Sequence, residues 1–205
     1  MEQNVLVVFM SCTQNSHLWA RLLANCPGSL VFCGDPALPQ EAVYSNRILK
    51  VRCGDTYDFL PNKVHAMISG ILKMPAFRSV THIFKVDDHD TRFDESSISQ
   101  LQILTFGDYC GQRLNNLFTG NRRWHFGKCP TGSRWENRVY PGPYVPWIDG
   151  GCGYILSRKA MQIIAREDAE VIKRDHIFED VMVALLLKRD GILPQRTGRL
   201  IKGDK

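Results

Sequence analysis

"VTHIFKVDD", residues 80–88, is an apolar, β-leaning run that ends in paired carboxylates. Its continuous apolar character predicts a strand buried on both faces, the kind found in mostly parallel sheets. Such sheets bind ligands at the carboxyl ends of their strands, which is where these acids stand. The cluster continues through His89 and Asp90, so three aspartates and a histidine fall within four positions. Carboxylates packed that closely repel one another and resist burial. A fold tolerates them in a solvated loop, with surface ion pairs to Lys85 or Arg92, or around a cation.

Working outward, "NVLVVFMSC" (4–12) predicts a first buried strand, and "SHLWARLLANC" (16–26) a helix ended by Pro27-Gly28. "SLVFCGD" (29–35) and "NRILKVRCGD" (46–55) read as further strands, and "NKVHAMISGILKM" (62–74) as a helix stopped near Pro75. Beyond residue 147, "IDGGCGYILS" (148–157) reads as a Gly-rich turn into a strand, and "RKAMQIIAREDAEVI" (158–172) as one helix. A last helix follows in "DHIFEDVMVALLLKRDG" (175–191), with Asp175 as its N-cap and Gly191 as its stop. Alternating β and α elements predict an α/β fold: a mostly parallel central sheet with helices on both faces.

Residues 107–147 break this rhythm with glycine, proline, asparagine and aromatics. Trp124, Trp135, Tyr140, Tyr144 and Trp147 argue against disorder and for a functional loop region.

A length of 205 residues fits one sizeable domain, and 44% hydrophobic content is that of an ordinary globular protein. The net charge of +5 is mild and spread along the chain, apart from "GNRRWHFGK" (120–128) and "RTGRLIKGDK" (196–205). That balance suits small anionic ligands and not a nucleic-acid groove. Seven cysteines, at 12, 26, 33, 53, 110, 129 and 152, are odd in number and contain no C-x-x-C, which speaks against a disulfide framework and for a reducing compartment. No stretch approaches the ~20 apolar residues of a membrane span, so a cytoplasmic location is expected.

Side chains two apart on a strand share a face, so either Asp88 and Asp90 or Asp87 and His89 converge, and both registers stand. A carboxylate pair is a hard oxygen site suited to Mg²⁺ or Mn²⁺, and an imidazole favours Mn²⁺. Glu179 and Asp180 fall in the first turn of the last helix, where its positive end stabilises carboxylates, so helix capping is one reading of both. Asp149 precedes Gly150 and Gly151, which let backbone approach a ligand; ordinary Asp-Gly turn chemistry is the plainer reading.

Four segments, in order, "DTYDFLPNK" (55–63), "IFKVDDHDTRF" (83–93), "YVPWIDGGCGYILSRKAM" (144–161) and "FEDVMVALLL" (178–187), resemble signatures of the β-1,3-galactosyltransferase and Fringe-like glycosyltransferases. Chlorella-virus glycosyltransferase domains are similar too. His89 followed by Asp90 stands where that family has a third aspartate, Asp149 where a serine is usual, and Ala184 where a glycine is usual. The resemblance implies a GT-A, Rossmann-like fold and metal-dependent, inverting transfer of a hexose or deoxyhexose from a UDP-sugar to a saccharide acceptor. It implies that Asp87, Asp88, His89 and Asp90 serve an Mn²⁺ or Mg²⁺ ion, with Asp88, His89 and Asp90 as ligands. Asp55 and Tyr57 would then contact the uridine and Lys63 the diphosphate. Asp180 becomes the general base, with Asp149 and Glu179 as the other catalytic candidates.

The expectation is therefore one GT-A-like domain over 1–205, with its N-terminal half binding the donor and 107–205 the acceptor, Trp135 and Trp147 being candidate stacking platforms. The "RLIKGDK" end, with no family-like histidine after the last helix, suggests a longer polypeptide with further C-terminal domains. A cytosolic relative, bacterial or viral, would work in the cytoplasm, the host's if viral. The alternatives are a metal-dependent phosphoesterase built on Asp87, Asp88 and His89, and a saccharide-binding module without activity.

Overall fold

The structure, a computed structural model, describes residues 3–88, 101, 106–115 and 121–198; His89, Asp90 and Arg92 lie outside them. The run 80–88 forms β5 (His82–Asp87), which pairs in parallel with β1 (Val5–Met10). On the far side of β1 lie β2 (Leu30–Gly34) and β4 (Ile48–Val51), both parallel, and β3 (Ala42–Ser45), antiparallel to β4. Beyond β5, β9 (Tyr154–Ser157) runs antiparallel between β5 and β6 (Tyr109–Gly111), and β10 (Gln195–Arg196) lies parallel to β6. The eight-stranded order is β10-β6-β9-β5-β1-β2-β4-β3, while β7 (Leu114–Asn115) and β8 (Trp147–Ile148) make a separate pair. This is the expected α/β class, a large and mostly parallel sheet compatible with a Rossmann-like fold.

Strand alternation divides the core. Val8 and Met10 of β1 face α2 (Leu60–Lys73), α3 (Arg158–Ile164) and α5 (Glu179–Arg189), whose Val64, Met67, Ile68, Met161 and Leu187 complete the larger cluster. Val7 and Phe9 face the other way and pack with Leu22 of α1 (Ser16–Asn25), Phe84 and Val86. Each such side chain contributes about 1.5–3 kcal/mol on burial, so covering both faces makes the strands read as unbroken apolar runs.

Three local expectations are corrected. The segment before "ILKV" is half of a hairpin, because Asn46 and Arg47 both take positive φ (50° and 64°), as a two-residue turn of the hairpin-favoured kind requires. Arg47 is held in that conformation by its own guanidinium, which donates to the carbonyls of Leu23, Cys26 and Ser29. The stretch 158–172 is two helices. Asp168 breaks it by accepting from the amides of Glu170 and Val171, capping α4 (Ala169–Asp175). Asp175 is therefore the last residue of α4, and the N-cap position of α5 belongs to Phe178, with no side-chain cap. Gly191 does end α5, with φ at 76° and the Ile192 amide donating back to the Leu187 carbonyl.

Candidate active site

Registers place the acids. Met10 pairs with Asp87 across β1 and β5, so the start of the β1–α1 loop lies beside Asp87 and Asp88. Because β9 is antiparallel to β5, with Lys85 opposite Tyr154, the Gly-rich turn that enters β9 is delivered to the same sheet end. A side chain at Gly153, where φ is 85°, would come within 2.8 Å of the Lys85 carbonyl, so the turn needs a glycine there.

Lys85 is fully buried and its ammonium organises this corner. It donates to Asp87 Oδ1 at 2.8 Å, Glu179 Oε1 at 2.6 Å and the Gly150 carbonyl at 3.2 Å. Burial pushes its pKa down, but the Asp87 and Glu179 carboxylates outweigh burial and hold it above the usual lysine value. Glu179 Oε2 accepts from the Tyr154 hydroxyl at 2.8 Å, so both of its oxygens are engaged. A surface ion pair for Lys85 is thus corrected to a buried network joining β5, β9 and the first turn of α5.

Asp55 ties three elements together. Its Oδ2 accepts from the Thr13 amide at 2.6 Å, and its Oδ1 from the Gly34 amide and Lys63 Nζ, both at 2.8 Å. Burial pushes its carboxyl up, but Lys63 and the two amides outweigh that and hold it below the usual range. Lys63 also donates to the Ser11 carbonyl at 2.8 Å and is 2% exposed, so it occupies neither a solvated helix face nor an open position as a mobile point charge. Asp88 is likewise buried: its Oδ2 accepts from the Ser11 hydroxyl at 2.6 Å and the Asn15 amide at 3.0 Å, and Trp19 Nε1 donates to Ser11 Oγ at 2.7 Å.

Asp180 and Asp149 face one another's turn. A Cβ at Gly150 would collide with the Glu179 carboxylate, so only glycine lets the start of α5 approach this closely. Asp180 accepts from the Gly150 amide at 3.4 Å and from its own neighbour Val181 at 2.8 Å. Burial, reinforced by the Glu179 carboxylate, pushes its pKa up to about 7 against the opposing pull of the Gly150 and Val181 amides and Lys85. Asp149 Oδ1 accepts from the amides of Gly151 and Cys152 at 3.0 and 3.2 Å, an Asx turn, while Arg113 stands 3.6 Å from its Oδ2.

Two adjoining cavities complete the cleft. One, of about 490 Å³, is lined by Asp87, Asp149 and Asp180 and walled by Trp124, Tyr144, Trp147 and Phe178. The other, of about 720 Å³, lies over Thr13, Gly34, Asp35 and Asp55. Met10, Tyr57, Leu60, Asp87 and Lys128 line both. Lys128 holds its ammonium 3.7 Å from the Trp124 ring centre and 5.4 Å from that of Tyr57. Among the described residues it has no carboxylate partner, whereas Lys50 and Lys63 in the larger cavity are paired with Asp35 and Asp55. Trp135 is 2% exposed and Tyr140 is buried beside it, so Trp135 is a packing residue and not a stacking platform; Trp147 does line the cleft.

Two carboxylates border the Gly151 turn: a Cβ there would lie 3.3 Å from Asp149 Oδ1 and 3.7 Å from Asp87 Oδ2, and oxygen donors of this kind suit a hard cation. Among the described residues no group of three or more histidines, cysteines or acids is placed to hold a metal, and the expected ligands His89 and Asp90 fall outside them. No protein-family model matches the chain, and no curated protein matches it.

Sequence reasoning missed Lys85, Lys128, Ser11 and Asn15. A lysine inside an otherwise apolar strand was the available signal for Lys85. Lys128 closes the basic run 120–128, which was the signal for it, while nothing local marks Ser11 and Asn15, whose roles depend on which loops meet.

Proposed function

We propose that this chain is an inverting, metal-dependent glycosyltransferase of the GT-A kind, moving a hexose or deoxyhexose from a UDP-sugar to a saccharide acceptor. The observation that carries the reading is the convergence of Asp87, Asp149 and Asp180 on an aromatic-walled cavity continuous with a second cavity over Asp55. A two-substrate reaction needs two such compartments with the reacting groups at their junction.

In this reading the nucleoside occupies the larger cavity. Asp55, locked by Lys63, holds the β1–α1 loop and the end of β2 in place around it, and Tyr57 forms the wall between compartments. The transferred sugar and the acceptor occupy the aromatic cavity, where sugar faces pack against Trp124, Tyr144 and Trp147. Asp180 takes the proton of the acceptor hydroxyl. The acceptor oxygen bonds to the anomeric carbon from the face opposite the leaving group, and the bond to the diphosphate oxygen breaks with its electron pair. The products are the inverted glycoside, UDP and a proton on Asp180. A carboxylate with a pKa near 7 is matched to that task. Asp87, with Asp149 on the other side of the Gly151 turn and the acids that follow Asp87, would hold Mn²⁺ or Mg²⁺; when bound, the ion supplies positive charge for the leaving diphosphate. Glu179 serves as counterion to Lys85, fixing the helix that carries Asp180.

A cytoplasmic site of action belongs to the same proposal; among the described residues no helix is long and apolar enough to cross a membrane. The phosphoesterase alternative needs Asp87, Asp88 and His89 to bind two metals; Asp88 Oδ2 is engaged by Ser11 and Asn15, which weighs against Asp88 as a metal ligand in either reading. Screening UDP-sugars with Mn²⁺ and Mg²⁺ for release of UDP tests the proposal. Metal-dependent release stimulated by a saccharide supports it, and phosphatase activity without nucleotide preference would replace it.

A further inference from the structure

A third cavity, of about 640 Å³, opens between residues 134–145 and the carboxyl ends of α4 and α5. Five cationic side chains line it, Arg134, Arg138, Arg174, Lys188 and Arg189, against one carboxylate, Asp175. That excess of four positive charges compares with five for the whole chain, so cations scattered in the sequence converge on one concavity.

Ordinary causes account for part of this. Arg174, Lys188 and Arg189 end their helices, where cations complement the helix dipole. Arg174 forks onto Asp175 at 2.8 Å, and Arg189 pairs with Glu167 at 2.7 Å. Arg134 and Arg138 have no such cause. They come from a non-helical segment, and their guanidiniums are held 5.2 and 5.5 Å from the Trp135 ring centre. Among the described residues neither they nor Lys188 form an ion pair within 4 Å, although Arg134 stands near enough to Asp175 to help Arg174 hold its carboxyl below the usual range. Like charges gathered this way repel, a cost that a bound anion would reverse. Trp135 (2% exposed) and His176 (6%) form the packed wall of the cavity, and their buried ring nitrogens Nε1 and Nδ1 have no hydrogen-bond partner among the described residues.

We propose that this cavity is a second ligand site, separate from the acidic cleft, for a compact oxyanion with two or more negative charges. The charges are phosphates on a small molecule or carboxylates and sulfates on an acidic saccharide; guanidiniums take each of these groups in forked pairs. Nucleic acid fits poorly, because the cavity's aromatic rings, Trp135 and Tyr140, are buried and offer bases no stacking surface. The site does not depend on the glycosyltransferase reading.

Calorimetric titration tests it, at about 50 mM salt so that screening is weak, and with protein and buffer freed of metal on a chelating resin so that metal-dependent binding in the cleft is silent. The probes are inorganic pyrophosphate, a heparin-derived tetrasaccharide and a thymidine oligonucleotide. The expected result is saturable binding of pyrophosphate or the tetrasaccharide that weakens at least roughly tenfold in Arg138→Ala/Lys188→Ala, the scale of a lost charge-assisted hydrogen bond, and is unchanged in Arg21→Ala. All three positions are exposed, so folding is not at risk. The tighter of the two anions identifies the source. Absence of binding by both anions, an equal loss in Arg21→Ala, or oligonucleotide binding as tight as either anion overturns the proposal.

Discussion

Asp180 and Lys128 make the site testable one side chain at a time. If Asp180 is the base of the proposed transfer, Asp180→Asn keeps the shape and removes it, so turnover should fall by ~10²- to 10⁴-fold while UDP binding stays near wild type. The sign of the pH dependence follows from the raised pKa. The base must be ionised, so activity should rise with pH through about 7. Stability should move the other way: the folded state keeps a proton that the unfolded chain releases near 3.8, so the protein loses stability as pH climbs between those values. A pH–rate profile with its acid limb below 5 would remove Asp180 from the role. Lys128 is the cation shared by both cavities without a carboxylate partner among the described residues, whereas the Lys63 ammonium is engaged by Asp55; in the proposed reading Lys128 should meet the diphosphate. Lys128→Met should weaken UDP by roughly tenfold and leave uridine unchanged, with partial recovery in Lys128→Arg. Equal losses for UDP and uridine would assign Lys128 to wall packing on Trp124.

Three elements, β5, the turn into β9 and α5, are joined through one buried ammonium. Removing a single member of such a network leaves its partners charged and unpaired, which costs about 3–5 kcal/mol. Lys85→Met should therefore lower stability by that order, measured by denaturant unfolding, and Lys85→Met/Glu179→Gln should regain part of the loss by removing one stranded charge. Additive losses in the double variant would show that Lys85 and Glu179 act independently. The same network explains why α5 starts at Glu179 without a side-chain cap: its first acid is fixed by Lys85 and Tyr154, and its second by the Gly150 amide.

Across the whole molecule, one aromatic cluster stands between the acidic cleft and the basic cavity. Tyr144, Trp147 and Phe178 line the cleft, while Trp135 and Tyr140 line the basic cavity. The two tryptophans should behave differently. Trp135→Ala empties a packed interior and should cost roughly 3–5 kcal/mol of stability with little change in acceptor KM. Trp147→Ala, at the cleft wall, should raise acceptor KM while slow donor hydrolysis persists. A large acceptor effect from Trp135→Ala in protein that remains folded would reverse these roles.

The sequence by itself determined the α/β class and the strand end at which the paired acids stand. Runs such as "LVVFM" and "HIFKV" are apolar on both parities, which only a sheet covered on both faces accommodates, and parallel sheets present ligands at their strand ends. Asp87, Asp149, Glu179 and Asp180 stood out because they lie at a strand end, beside turn glycines and at a helix start, whereas Asp55 was marked by the segment resemblance alone. Only the tertiary structure decided how each carboxylate is used, because that depends on which partners arrive from far along the chain. Lys63 closes on Asp55, Ser11 on Asp88 and Lys85 on Glu179, and these pairings leave Asp180 at the cleft with its raised pKa. The hairpin at Asn46-Arg47 and the break at Asp168 were hidden for a related reason. Each rests on hydrogen bonds to backbone groups that become available only once the chain has folded into those turns and caps, and periodicity in the sequence does not record them.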